Sequence, residues 1–169
     1  MGRDDIFLFF GWFREVEKID KIFRFKIGTP NLNVIFGFFQ IDKKIKTKFE
    51  EAPYWAKYHS HLNSTRINDE VNTIYIAKEI STWNKNINGA KFFNFSNDLV
   101  LTKGDLSRSK WELPEFFGDV KISYHDKKSR KINYFQSASI GQEFVIQDNK
   151  KVEECAKNLV VKNIPKTNN

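Results

Sequence analysis

The chain has 169 residues, and its 28 lysines and arginines outnumber its 21 aspartates and glutamates, giving a formal net charge of +7. This length suffices for one core, so we expect a single domain over residues 1–161 and a polar tail over 162–169. Cys155 is the single cysteine, which excludes an internal disulfide and a cysteine-based zinc site. Two aspartates follow Met1-Gly2-Arg3 where a secretion signal needs apolar residues, so we expect a cytoplasmic protein without membrane attachment.

The first predicted element is an aromatic strand in the stretch Asp5–Arg14. Apart from Gly11, every residue between its two charged ends is apolar, and the run is too short to span a bilayer. Its aromatic content favours a strand buried on both faces. Trp12 and Arg14 at the end of the strand would place a flat ring beside a guanidinium, a suitable floor for a flat ligand. Alternatively, the rings are core and Arg14 caps them in solvent.

Further elements follow in chain order. Residues 15–21 predict a short helix or a loop, and apolar residues at helical spacing predict a short helix after Pro53. Alternating or continuous apolar residues predict strands at 23–27, 33–41, 72–77, 89–95, 98–102, 120–124 and 139–146. The strand at 33–41 also contains a glycine, so it would lie beside the first strand.

The last predicted element is an amphipathic helix over residues 152–161, which carries Cys155 in its apolar stripe. Six to eight short strands and two helices give an α+β, mainly β fold. Its arrangement would be a small mixed sheet or a β-barrel, followed by this C-terminal helix.

Two polar pairs are candidate ligand contacts. His59 and His61 would share one side of an extended segment and could meet a phosphate or a base, but no third ligand stands at a metal-binding spacing. Gln142 and Glu143 follow a glycine and could read a base edge. Alternatively, the glycine forms a turn and Glu143 pairs with a lysine. Because no third ligand accompanies the two histidines, we predict no metal, and we also predict no cofactor.

Basic residues occur in several blocks, among them residues 43–48 and 127–131. Such blocks are often only solvated faces, but on one side of the molecule they would form the footprint of a nucleic-acid surface. The chain contains no Gly-x-Ser-x-Gly motif and no phosphate-binding glycine loop, so no catalytic motif is recognised and enzymatic activity stays an open question.

Several short motifs together resemble the C-terminal portion of the nucleotide modification associated domain 3 family. They are Asp5–Arg14, the strand with Gly37, His59-x-His61, Asn72–Ala77, Leu101-Thr102, Trp111-x-Leu-Pro114 and residues 141–145. The resemblance implies a phage or bacterial protein linked to DNA base modification. Family members carry a Ser-Arg-Lys-Gly-Phe-Asp type motif ahead of this region, so the resemblance also implies an N-terminal partner chain or a homo-oligomer.

The opening strands are also similar to those of PUA-like barrels of the EVE, ASCH and YTH kind, which hold a modified or flipped base in an aromatic pocket. The leading hypothesis is a domain that binds a nucleotide or DNA base through Trp12, Arg14, His59, His61 and Gln142 or Glu143. One alternative is an enzyme acting on modified bases or nucleotide precursors. Another is a non-catalytic subunit whose first strand completes a partner chain's sheet.

Overall fold

The structure is a computed structural model that describes residues 1–138, 143–147 and 149–165. Within these ranges the fold is mainly β, as predicted, with short strands and a C-terminal helix. The elements are β1 (Ile6–Phe13), β2 (Val16–Ile19), β3 (Ile22–Phe25), β4 (Leu32–Lys46), β5 (Thr73–Ala77), β6 (Ala90–Phe92), β7 (Lys110–Trp111), β8 (Phe135–Gln136) and α1 (Lys150–Asn163).

The longest strand, β4, organises the largest sheet. It lies between β1 and β5, and β6 also pairs with it. Strands β2 and β3 form a separate antiparallel hairpin, and β7 and β8 form a second two-stranded antiparallel sheet. The two glycine-bearing apolar strands therefore are neighbours, as the sequence predicts. Over the described residues the strands form small sheets without a closed barrel.

The chain divides into two compact units. The first unit contains residues 1–7 and 38–91, and the second contains residues 8–37 and 92–169. Both divisions of the N-terminal half fall inside strands, one within β1 and one within β4, and the third falls within β6.

The first unit has an apolar core that also contains the amide of Gln40. Phe38, Ile41 and Ile45 of β4 are each only 1% exposed. Gln40 is equally buried, and its amide nitrogen donates to the Thr82 hydroxyl at 2.7 Å while its amide oxygen accepts from the Thr82 backbone N–H at 2.9 Å. Because both ends of this amide are satisfied, its burial does not carry the penalty of an unpaired polar group.

The second unit packs around aromatic side chains. Its larger buried cluster consists of Trp111, Val120, Ile122 and Phe135. The ring of Phe10 from β1 meets Trp111 edge-on, with 5.0 Å between ring centroids, and it stacks on Phe144 at 5.6 Å. Such pairs contribute about 0.5–1.5 kcal/mol each beyond the area they bury. Phe10 of β1 thus faces this core.

Helix α1 confirms the predicted C-terminal helix. It begins after Asn149, whose side-chain oxygen accepts hydrogen bonds from the backbone N–H groups of Lys151 and Val152. Leu159 packs against the second unit's core and Val160 is fully buried. Cys155 is partly buried, and this burial raises the pKa of its thiol.

Four other predicted elements are corrected. Residues 120–124, predicted as a strand, form no strand, because only Ile122 pairs, in an isolated bridge with Ile146. Residues 15–21 contain strand β2, because Val16 and Ile19 pair with Phe25 and Ile22 across a turn in which both Asp20 and Lys21 have positive φ. The predicted strand at 98–102 begins with the 3₁₀ turn Asn97–Leu99. The predicted helix after Pro53 is the 3₁₀ turn Tyr54–Ala56.

Candidate functional site

The end of β1 brings Trp12 to the surface of the second unit. The indole is 53% exposed, and its N–H donates to the side-chain oxygen of Asn31 at 3.0 Å. Its ring stacks on Phe25 of β3 with 6.3 Å between centroids and 28° between planes. The expectation that the whole first strand is buried is therefore wrong, because the strand runs beyond its own core at Trp12 and Phe13.

Two guanidinium groups lie over these two rings. The guanidinium carbon of Arg108 is 4.7 Å from the centroid of the Trp12 ring, and that of Arg14 is 5.5 Å from the centroid of Phe25. We call Trp12, Arg14, Phe25 and Arg108 the cation–aromatic surface. The arrangement gives two planar cations and two flat rings at one place on the second unit.

Hydrogen bonds fix the backbone that carries both arginines. The guanidinium of Arg14 donates to the Lys26 carbonyl at 3.1 Å. The carbonyl of Arg108 accepts from the Asn33 side chain at 3.1 Å and from the Trp111 indole at 3.0 Å. These bonds hold the Arg14 side chain against the segment that follows β3, and they hold the backbone of Arg108 against β4 and the core.

Gly11 serves a second group of rings. Phe9, Gly11 and Phe13 alternate with Trp12 along β1 and so lie on the other face of the strand. A Cβ at Gly11 would meet the rings of Phe13 and Phe36 at 3.4 Å. Gly11 therefore leaves room for the contact between these rings, whose centroids are 5.7 Å apart.

His59 and His61 lie together in the first unit, although not in the extended segment that the sequence predicts. His59 precedes the 3₁₀ turn Ser60–Leu62, and its Nδ1 accepts a hydrogen bond from the His61 backbone N–H at 3.2 Å. The two rings are 5.1 Å apart, and Nδ1 of His61 is buried without a hydrogen-bond partner among the described residues. The hydrogen bond by which His59 caps this 3₁₀ turn therefore brings the two histidines together.

A buried asparagine holds the loop that carries His61. The Asn72 side-chain nitrogen donates to the Thr47 hydroxyl at 2.7 Å, to the His61 carbonyl at 2.7 Å and to the Arg66 carbonyl at 3.0 Å. Asn72 is 8% exposed. This network anchors the segment from His61 to Arg66 to the start of β5, which Asn72 immediately precedes.

The remaining predicted contacts belong to the second unit. Gln142 lies outside the described residues, and Glu143 is exposed.

Across the described ranges, no three side chains of His, Cys, Asp or Glu converge in a group that could hold a metal ion. In the first basic block, Lys43 and Lys48 form ion pairs with Glu50 and Glu70.

A family model for nucleotide modification associated domain 3 matches residues 1–147. The chain belongs to the nucleotide modification associated domain 3 family. This match confirms the resemblance that the sequence motifs indicate, and it connects the chain to nucleotide modification. Searches of curated proteins and of solved structures found no match. In the part of this family member that the structure describes, no helix has the length and apolar composition needed to cross a membrane.

The sequence pattern indicated only two of the four residues of the cation–aromatic surface, Trp12 and Arg14. It paired Trp12 with Arg14 because they are close in the chain, whereas the structure joins them through Phe25. The alternation of Phe23, Arg24 and Phe25 signalled a strand, but nothing in it indicated a contact with Trp12. Arg108 lies in a polar loop with no motif around it, so its place over the indole had no signal in the sequence.

Proposed function

We propose that this family member binds a nucleotide or a DNA base on the cation–aromatic surface, in support of DNA base modification in a phage or a bacterium. The observation that carries the proposal is the half-exposed indole of Trp12 with the Arg108 guanidinium 4.7 Å from its ring. Exposed rings give stacking surfaces to bases, and guanidinium groups pair with phosphates. The net charge of +7 adds a general attraction for phosphate.

Each group has a defined part in this binding. A base stacks on the Trp12 indole or on the planar Arg108 guanidinium, which covers part of that ring. Arg14 is held by the Lys26 carbonyl and presents its remaining N–H groups to a phosphate. His59 and His61, which lie in the first unit, are a separate proposed contact for a phosphate or a base, and Gln142 or Glu143 is proposed to read a base edge.

The test is a titration of nucleotides and of modified-base DNA, followed by the intrinsic tryptophan fluorescence and by calorimetry. Trp12→Ala should weaken binding roughly 5- to 100-fold, since stacking of one base contributes about 1–3 kcal/mol. Trp12→Phe keeps a ring and should retain most of the affinity. Phe95→Ala removes a ring of the same unit that is 67% exposed, and it is the matched control.

Equal affinity of wild type and Trp12→Ala, or no binding by wild type, would remove this assignment. Loss of affinity in Phe95→Ala as well would show that any exposed ring matters equally. Arg14→Gln, which removes the guanidinium assigned to the phosphate, adds an independent reading. It should make binding less sensitive to salt, because one fewer cation displaces counterions from the phosphates.

A second candidate function is that of a subunit that docks on a partner chain. The β2–β3 hairpin exposes Ile22, Phe23 and Ile27, of which Ile27 is 90% exposed. Apolar side chains in such a group are typical of protein interfaces, and the free edges of a two-stranded sheet accept further strands. A dimer in sedimentation analysis of the isolated chain would favour this function, and a monomer would count against it.

A further inference from the structure

A second aromatic surface lies in the first unit, on the turn after Pro53. Tyr54, Trp55 and Tyr58 are 80%, 69% and 88% exposed. With Lys57 they form what we call the Tyr–Trp platform. These three rings are among the most exposed in the described chain, and they lie within five consecutive residues, 54–58.

The turn itself is well anchored. Ala56 is 4% exposed and is the residue of the turn that reaches the core of the first unit. Its N–H donates to the Pro53 carbonyl at 2.8 Å, and its own carbonyl accepts from the His59 N–H at 2.7 Å. Because Ala56 points into the core, its neighbours Trp55 and Lys57 are exposed to solvent. The hydrogen bonds of the turn hold them in this orientation.

Lys57 joins the rings of the platform to a positive charge. Its ammonium nitrogen is 4.4 Å from the Tyr54 ring centroid and 4.8 Å from that of Tyr58. It also donates to the Tyr54 hydroxyl at 2.9 Å. A second cation–ring pair, Lys48 over Phe49 at 5.4 Å, lies in the same unit.

The composition of the platform favours nucleic acid over a protein partner. Tyrosine and tryptophan are enriched at protein interfaces as well, but lysine is depleted there. The platform instead alternates rings with a lysine and contains no exposed aliphatic side chain between residues 54 and 58. Exposed rings beside a cation suit the successive bases and phosphates of an unpaired strand.

We propose that the Tyr–Trp platform binds unpaired bases of single-stranded nucleic acid. Trp55 and Tyr58 each stack on a base, and Lys57 contacts the phosphate between them. The inference rests on the proposed function in taking a nucleotide polymer as the ligand, and it adds that this ligand is single-stranded and meets the protein at a second surface.

The experiment measures fluorescence anisotropy of labelled oligothymidylate, oligouridylate and duplex DNA, each of about 12 units or base pairs. Tyr58→Ala and Trp55→Ala should each weaken oligothymidylate binding roughly 5- to 100-fold. Tyr58→Phe keeps the ring and should bind like wild type. Tyr124→Ala, which removes a tyrosine that is 79% exposed in the second unit, is the matched control.

Lys57→Gln should reduce the slope of log affinity against log salt by about 0.7, the contribution of one phosphate contact on a single strand. Comparing oligothymidylate with oligouridylate shows whether the strand is DNA or RNA. Unchanged binding in both Tyr58→Ala and Trp55→Ala, or equal binding of duplex and single strand by wild type, would overturn the proposal.

The two proposals fail in different ways. Mononucleotide titrations report the cation–aromatic surface, and they should respond to Trp12→Ala while leaving Tyr58→Ala at the wild-type affinity. If oligonucleotide binding depends on Tyr58 but mononucleotide binding is absent, the platform stands and the proposed function falls. If only Trp12→Ala weakens binding of both ligands, the proposed function stands and the platform falls.

Discussion

Replacing Asn72 with alanine tests the network that holds the loop of His61. The substitution removes a donor from the Thr47 hydroxyl and from the carbonyls of His61 and Arg66, which are 2.7, 2.7 and 3.0 Å away. An amide nitrogen carries two hydrogens, so two full bonds are lost and the acceptors stay partly buried. Removing one partner leaves each acceptor unsatisfied, at a cost of about 1–3 kcal/mol for a fully buried group. Because these acceptors stay only partly buried, we expect a loss of about 2–4 kcal/mol for the two bonds.

Urea denaturation gives the loss of unfolding free energy, and amide hydrogen exchange at Arg66 and Ile67 locates it. The backbone N–H groups of both residues bond to the Asn63 carbonyl, so their protection should fall when the loop loosens. Asn86→Ala removes an exposed amide of the same unit and should change the unfolding free energy by less than about 0.5 kcal/mol.

Asn72→Asp separates hydrogen bonding from side-chain volume. An ionised carboxylate has no donor for the three acceptors, whereas the protonated form has one. This variant should therefore be closer to wild type at low pH than at neutral pH. A loss below about 0.5 kcal/mol in Asn72→Ala, or no pH dependence in Asn72→Asp, would refute the reasoning.

Two further outcomes concern the first unit. Gly89→Ala should unfold more easily by roughly 1–3 kcal/mol in urea, because its Cβ would overlap the backbone carbonyl of Lys78, and wild-type stability would contradict this. A hydrogen bond from Lys78, with Arg3 nearby, lowers the pKa of Asp42. The stability that this interaction contributes is present above the pKa that Asp42 has in the unfolded chain. It is lost as the pH falls through the lower pKa that Asp42 has in the folded protein. Asp42→Asn should therefore lose less stability than wild type between neutral and acid pH, and equal losses in urea titrations would contradict the assignment.

Elements with a strong local pattern could be predicted from the sequence. Strand β5 was expected at residues 72–77 and lies at Thr73–Ala77, where β-branched residues dominate. Helix α1 was expected at 152–161 and extends to Lys150 because Asn149 caps it. In both cases the preference of the residues and their packing agree, so local reasoning suffices.

Elements that depend on distant partners could not be predicted. Strand β2 has a charged sequence, Val-Glu-Lys-Ile, and becomes a strand because β3 pairs with it. The apolar spacing after Pro53 predicts a helix, but the segment is the 3₁₀ turn Tyr54–Ala56, which buries Ala56 and leaves Trp55 exposed. Arg108 reaches Trp12 across 96 positions of the chain, a contact that periodicity does not encode.

The division of β4 limits how the chain can be dissected. The first unit takes residues 38–46 of this strand and the second takes residues 32–37, while β1 is shared in the same way. A gene fragment for either unit would begin or stop in the middle of strands, leaving severed ladders that invite aggregation. Assigning activities to the two units thus calls for point substitutions in the intact polypeptide.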